Sequence, residues 1–257
     1  MTTLAQRLLA PGALTVLYQP IVRLNADGVQ LFALECLTRG PHATNAARAD
    51  VMFDYVRFMR LEPVVDRVCV STALAAAATL PGSPNLTVNV HATTIGRDPR
   101  FPAFLGAVAA EHGIALSRLT IEIVEHTHYE DGPAFAQALQ CIRSLGPRIA
   151  LDDVGLGHSN YRRMLDADAD FLKIDRYLVH GAGSDPHRRA VVESIAQLAR
   201  RLGAQAIAEG VETADDLHSL KDSGIDLAQG YLLGRPMTAD ELRTSGWLSR
   251  NSHCSVA

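Results

Sequence analysis

Long hydrophobic runs are missing: no stretch of the 257 residues approaches the ~20 consecutive apolar residues that a membrane span requires. The Ala-rich run from Ala73 to Leu80 is too short, and Pro81 ends it. The opening residues, Met1 to Leu14, interrupt their apolar content with Pro11 and Gly12 and do not read as a secretory signal. Cysteine is sparse, and Cys36, Cys69, Cys141 and Cys254 show no paired spacing. They are expected as reduced thiols of a cytoplasmic protein, with neither a disulfide framework nor a zinc cluster. Excess basic charge is absent too. The 24 Lys and Arg against 28 Asp and Glu leave a net charge of −4, which argues against a surface built for duplex DNA or RNA. A small phosphorylated ligand is still allowed, because a few placed cations or metal ions suffice to hold one. The 19 glycines and 12 prolines are near average usage, so collagen-like and low-complexity readings fall away.

What is present from Leu86 onward is an alternation of short β-rich runs and helical patterns. The runs are 86–90 (LTVNV), 119–124 (LTIEIV), 148–151 (RIAL), 171–174 (FLKI), 205–208 (QAIA) and 225–229 (IDLAQ). Between them, Phe135, Leu139 and Ile142 repeat at helical spacing, and Gly146-Pro147 closes that element. Val191, Ile195, Leu198 and Leu202 form a second apolar stripe between Asp185-Pro186 and Gly203. Thr213 is placed to cap a third helix whose Leu217 and Leu220 face inward. Ahead of these, the extended segments 17–22 and 31–39 flank the turn Asn25-Ala26-Asp27-Gly28 and predict an antiparallel hairpin. Met52, Val56 and Met59 then follow a helical period, and Pro63 starts a further helix. No Gly/Ser-rich linker divides the chain, so one domain over 1–257 is expected, with the barrel over about 14–240 and a poorly ordered tail over about 244–257. Some eight strands with intervening helices predict an α/β fold, a TIM-like (β/α)8 barrel. The rival doubly wound sheet usually carries a glycine-rich first turn, and Gly155-Leu156-Gly157 is too short to be one.

Polar residues sit on one face of these strands or at their carboxyl ends. Alternation sets Asn89 apart from Val88 and Val90, Glu122 from Ile121 and Ile123, and Lys173 from Leu172 and Ile174. Glu35 shares a face with Leu37 and Arg39, while Asp152, Asp153, Glu209 and Gln229 end their runs. Any one such acid could be no more than the cap of the next helix. Caps, however, predict a mixture of Ser, Thr, Asn and Asp outside the strands, whereas these positions carry mostly carboxylates on different strands. Acids gathered at one rim repel one another and resist desolvation. Divalent cations relieve that, and oxygen donors suit Mg²⁺ or Mn²⁺ rather than zinc. Adjacent carboxylates such as Asp152-Asp153 can serve two metals, an arrangement known for attack of water on a phosphodiester. The residues alone therefore reach metal-assisted phosphoester hydrolysis without reaching the substrate.

The motifs in order are Tyr18-Gln19-Pro20-Ile21, Leu34-Glu35-Cys36-Leu37-Thr38-Arg39, Val88-Asn89-Val90 and Ile121-Glu122-Ile123-Val124-Glu125. They continue with the segment from Leu151 to Gly157, then Phe171-Leu172-Lys173-Ile174-Asp175, Ala208 to Thr213, and Gln229-Gly230-Tyr231 with Pro236. From Tyr18 to Met237 this pattern resembles the EAL domain family, bacterial phosphodiesterases of the second messenger cyclic di-GMP. The resemblance implies a barrel whose first strand runs antiparallel to the rest, two Mg²⁺ or Mn²⁺ ions, a homodimer, and hydrolysis of cyclic di-GMP to linear pGpG. It implies Glu35, Asn89, Glu122 and Asp152 as ligands of one ion, and Asp153 and Glu209 around the second, with Asp152 shared. Lys173 is similar to the family lysine that orients the attacking water, and Glu35, Lys173, Glu209 and Asp153 make up the implied catalytic set. Arg39 is implied to grip a phosphate, Gln229 to hold water, metal or substrate from the last strand, Glu125 to anchor the loop after Asp153, and Glu212 to support the ligands from behind. Two alternatives accompany this reading: a catalytically weak or inactive binding module, a receptor or protein-interaction domain that holds the nucleotide without cutting it, and a metal phosphodiesterase of another dinucleotide.

The chain departs from the family pattern in places. Cys36 stands in the naming motif where Ala is usual and is expected as a packed side chain. Val154, Leu156 and His158 stand where the family favours Phe, Thr and Tyr, and His91 replaces a small residue. The segment from Pro41 to Arg60 matches poorly. His91, His126, His128 and His158 fall just beyond strand ends and are expected as exposed loop histidines rather than ligands. Asp175 is expected to cap or pair locally.

Overall fold

In the computed structural model the described residues are 3–26, 28–42, 44–124, 132–156, 161–249 and 253–254. Eight strands close on themselves. They are β1 (Thr15–Asn25), β2 (Gly28–Arg39), β3 (Leu86–His91), β4 (Leu119–Val124), β5 (Arg148–Val154), β6 (Phe171–Ile174), β7 (Gln205–Ala208) and β8 (Leu227–Ala228). From β2 to β8 neighbouring strands pair in parallel, and β1 closes the ring antiparallel to both β2 and β8. The fold is the α/β barrel with an antiparallel first strand. Of the expected tail, His253–Cys254 forms β9 against β2, and residues 250–252 and 255–257 lie outside the described set. No helix among the described residues is long and apolar enough to cross a membrane.

Local chemistry explains the outer helices. Thr213 accepts from the Asp216 N–H, Asp185 accepts from His187 and Arg188, and Pro63 lies in the first turn of the helix Glu62–Ala77. Phe135, Leu139 and Ile142 are buried on Gly132–Ser144 as their spacing predicts. On Pro186–Arg201 the predicted stripe is turned by about one residue. Val192, Ala196 and Ala199 are buried, Ile195 and Leu198 pack beside them, and Val191 and Leu202 are exposed. Alanines let this helix lie close to the sheet, so the centre of contact falls between the larger side chains. Met59 is likewise exposed, because the helix Ala49–Phe58 has ended before it.

The barrel interior is layered. Ile21, Ala33, Ala150, Phe171, Ile207 and Leu227 form one apolar cluster, with Phe32 packed against it. On the parallel strands each of these lies two residues before a polar position: Ala33 before Glu35, Ala150 before Asp152, Phe171 before Lys173, Ile207 before Glu209, Leu227 before Gln229. With a strand period of two, the polar set forms the next layer, at the carboxyl ends of the strands. In (β/α)8 enzymes that end carries the chemistry.

Candidate active site: an acid cluster at the barrel mouth

Lys173 is the hub of that layer. Although only 1% exposed, its Nζ lies 2.5 Å from Glu122 Oε1 and 2.6 Å from Glu209 Oε1. Glu35 Oε2 follows at 3.7 Å and Asp152 Oδ1 at 3.8 Å. Glu35 is held from two sides, by Asn89 Nδ2 donating at 2.9 Å and by Gln229 Nε2 donating at 2.6 Å. Gln229 Nε2 also reaches Gln19 Oε1 at 3.1 Å, and Gln19 Nε2 donates to the Gly234 carbonyl at 3.0 Å. The sequence offered Gln19 only as part of a motif. Its membership follows from the reversed direction of β1, where Ile21 is in the apolar layer and the residue two positions earlier reaches the mouth.

Asp152 and Asp153 are neighbours on a strand and ought to point apart. An irregularity in the β5–β6 pairing between Leu151 and Val154, and a φ of +53° at Asp153, turn the second carboxyl to the same side. Aspartate tolerates this left-handed conformation better than most residues, at a cost of about 1–3 kcal/mol that structure at a working site often bears. Asp175 caps the helix Arg176–Val179 through the Tyr177 N–H at 2.6 Å and also bonds to Asp153.

Burial acts upward on the carboxyls of Glu35, Glu122, Asp153 and Glu209, and their neighbours then separate them. At Glu35 burial is outweighed by Lys173 and by the bonds from Asn89 and Gln229, which hold its carboxyl below the ordinary range. Burial, then the charge of Glu35, push Glu122 well above that range despite Lys173. Burial raises Glu209 to about 8 against Lys173, with Asp152 and Glu35 adding to the rise. Burial, Asp152 and the bond with Asp175 raise Asp153 to about 7. Burial opposes the Lys173 charge, but Glu122 and Glu209 more than restore it. Negative charge is therefore in excess even with the ammonium in place.

The donor set fits divalent ions. Glu35, Glu122 and Glu209 each offer an oxygen within 4.8 Å of one another, and so do Asp152, Asp153 and Glu209. The two sets share Glu209, where the resemblance implies sharing through Asp152. Glu122 Oε2 and Gln229 Oε1 are buried with no partner among the described residues, and orphaned buried oxygens of this kind call for an ion or water. All donors are oxygens, which favours Mg²⁺, Mn²⁺ or Ca²⁺ over zinc.

Two cavities meet at Glu35. One, of about 360 Å³, runs past Asn89, Asp152 and Arg39 to Phe53 and His91. The other, of about 280 Å³, is lined by Gln19, Asp153, Glu209, Gln229 and Tyr231. Arg39 is half-buried on the rim of the first, its Nη1 bonded to the Thr38 carbonyl at 3.1 Å. Glu212 is exposed and lines the second. Glu125, His126, His128 and His158 lie outside the described residues. Cys36 is buried, as expected. His91 corrects the reading of exposed loop histidines: it is 5% exposed and bonded to Asp66. That partner is 25 residues away on the helix Glu62–Ala77, a pairing no local pattern reveals.

A (β/α)8 barrel with an antiparallel first strand and an oxygen-rich, lysine-centred mouth defines a class of barrel suited to divalent ions. The EAL domain model matches residues 3–236 of the sequence, and the chain belongs to the EAL domain family. The cyclic di-GMP phosphodiesterase RocR of Pseudomonas aeruginosa is 33% identical over 233 residues, which are 88% of this chain and 58% of RocR. The uncharacterized protein y4lL of Sinorhizobium fredii is 31% identical over 235 residues, 91% of this chain and 28% of that protein. The chain thus spans less than two thirds of the length of these curated relatives. Among solved structures, the PaMucR phosphodiesterase in its c-di-GMP complex superposes with a TM-score of 0.81 at 26% identity, covering 93% of this chain and 97% of that one. Klebsiella pneumoniae BlrP1, in a manganese/cy-diGMP complex at pH 6, gives 0.77 at 27% identity over 89% of this chain and 57% of that one.

Proposed function

We propose that this chain is a metal-dependent phosphodiesterase that opens cyclic di-GMP to linear pGpG, using two Mg²⁺ or Mn²⁺ ions. The observation that carries the proposal is the convergence of Glu35, Asn89, Glu122, Asp152, Lys173 and Glu209, from six strands, on one buried oxygen-rich cluster with orphaned acceptors. Glu35, Asn89, Glu122, Asp152, Asp153 and Glu209 would hold the ions, which supply positive charge that polarises the phosphodiester and lowers the pKa of water. The chain's own groups do the rest. Lys173, held between Glu122 and Glu209, would donate to the attacking water and orient it. Gln229 and Asn89 fix both oxygens of Glu35 so that it does not rotate. Arg39 presents its guanidinium fork to a non-bridging phosphate oxygen. Named relatives that act on cyclic di-GMP, and solved neighbours that bind it, support the choice of substrate.

The test is chromatography of products after incubation of the purified protein with cyclic di-GMP and Mn²⁺ or Mg²⁺, with and without chelator. pGpG that forms only with metal, and not in Glu35→Ala, is the expected result. Tight binding with no product would overturn the enzymatic reading and leave a receptor.

A further inference from the structure

The geometry points to His91 as a base-reading residue: anchored through Nδ1 to buried Asp66, it offers Nε2 to the cavity beside the acid cluster and selects guanine there. The inference rests on cyclic di-GMP being the substrate.

His91 ends β3, two residues beyond Asn89. Its Nδ1 lies 2.8 Å from Asp66 Oδ1, its backbone N–H donates to Asp66 Oδ2 at 2.9 Å, and Thr94 Oγ1 donates to the same oxygen at 2.5 Å. An ionised carboxylate only accepts, so Nδ1 carries the hydrogen, and in the neutral ring Nε2 is left as an acceptor. Phe53 packs on the imidazole at 5.5 Å between ring centroids and an interplanar angle of 58°, restraining it further. Both rings line the cavity of about 360 Å³, a size typical of pockets for small molecules. Its apolar wall includes Val70, Ala73 and Val88, and it opens onto Asn89 and Asp152. A group that fills it while its attached phosphate sits at the acid cluster is a flat, largely apolar base.

The polar atoms around this cavity choose the base. Asp50 and Asp54 also line it, but both are exposed and already accept from arginines, Asp50 from Arg48 and Asp54 from Arg57, and Arg57 lines the cavity as a donor; the acceptor set inside the wall is Nε2. Guanine presents two adjacent N–H donors, N1–H and the N2 amino group, on its pairing edge. Adenine presents one amino group beside an N1 acceptor, which would face Nε2 unpaired. Rejection by an unpaired polar group is the stronger form of selection. Bracing Asp66 requires only a short donor at position 91, so an imidazole adds one thing to that role: an acceptor one atom further into the cavity.

The experiment measures KM and kcat for cyclic di-GMP with Mn²⁺, inhibition by cyclic di-AMP, and thermal stability, in wild type, His91→Asn and His91→Gln. His91→Asn keeps a donor for Asp66 but loses the Nε2 edge. Its KM should rise about tenfold, the scale of one lost hydrogen bond, with kcat within about twofold and the preference over cyclic di-AMP reduced by the same factor. His91→Gln restores an acceptor at the depth of Nε2, and its KM should stay within about threefold of wild type. A KM and base preference unchanged in His91→Asn overturn the inference while leaving the phosphodiesterase reading in place. So does a fall in kcat and stability with KM constant, which is the mark of a brace alone. Should His91→Asn not fold, a tenfold rise in KM for a folded His91→Gln overturns it as well. Wild type that neither binds nor cleaves cyclic di-GMP removes both.

Discussion

Replacing Lys173 by methionine tests the electrostatic account of the cluster most directly. The change keeps length and apolar volume but deletes a charge held 2.5 Å from Glu122, 2.6 Å from Glu209, 3.7 Å from Glu35 and 3.8 Å from Asp152. At an effective dielectric near 20, one such pair at 4 Å is worth about 4 kcal/mol before desolvation is subtracted. Desolvation offsets most of that, and removing one partner of a buried ionic group costs about 3–5 kcal/mol net, because the opposite charges stay behind. In a domain of this size each kcal/mol moves the Tm by about 2–4 °C, so Lys173→Met should melt roughly 10 °C below wild type in chelator. Divalent ions take over the neutralising role. The gap should therefore narrow on adding saturating Mn²⁺, because the variant, left with more uncompensated negative charge, binds the ion more tightly than wild type, and each tenfold in Kd adds about 1.4 kcal/mol to the variant relative to wild type. Hydrolysis should stay abolished even then, because the proposed donor to the attacking water is gone. Differential scanning calorimetry over a Mn²⁺ series reads the stabilities, and product chromatography reads the activity. A variant as stable as wild type without metal, or one whose deficit ignores Mn²⁺, would refute the reasoning.

Asp153, raised from 3.8 to about 7, and Glu209, raised from 4.5 to about 8, bind protons more tightly when folded than when unfolded. Their stabilising contribution is thus complete below about pH 4 and is lost as pH climbs through 7 and 8. In chelator the Tm should fall between pH 6 and 9, whereas Mn²⁺ affinity measured by titration calorimetry should rise over the same interval with release of protons; a pH-independent affinity would contradict this. Gln19→Leu and Gln229→Leu each release Glu35 and should weaken Mn²⁺ binding by about 10–100-fold. The double variant should be little worse than Gln229→Leu alone, and strict additivity would break the proposed relay. Gly230→Ala places a Cβ 2.2 Å from the backbone N and O of Val211; the resulting strand shift should cost about 3 kcal/mol in urea denaturation and displace Gln229, and a neutral effect would mean the contact is relaxed at no cost.

Much of this arrangement was legible in the residues, for reasons that differ from element to element. The runs around Asn89, Glu122 and Lys173 are short and apolar except at alternate positions on one face, so strand and polar face can be read together. The face of Pro186–Arg201 was displaced because Ala196 and Ala199, which are buried, carry little weight beside Val191 and Leu202 in an apolar pattern. The inward turn of Asp153 depends on a positive φ that only the pairing of β5 with β6 imposes. The environment of His91 depends on a helix brought against β3 by the core, through Asp66.

The direction of β1 links fold to site more closely than the strand count does. A parallel first strand with the same sequence would carry its polar residue to the mouth two positions after the apolar layer, which is Arg23 beyond Ile21. Running antiparallel, β1 instead delivers Gln19, whose amide supports Gln229 and through it Glu35. Arg23 is left at the opposite end, its guanidinium 5.1 Å from the Phe32 ring centre that closes the apolar layer. Reversal therefore keeps a second strong cation out of the acid cluster. With Arg23 there, Glu122 and Glu209 would be neutralised by protein alone and the demand for divalent ions would fall. The antiparallel hairpin is thus part of the electrostatics of the site, because it leaves the carboxylates short of positive charge.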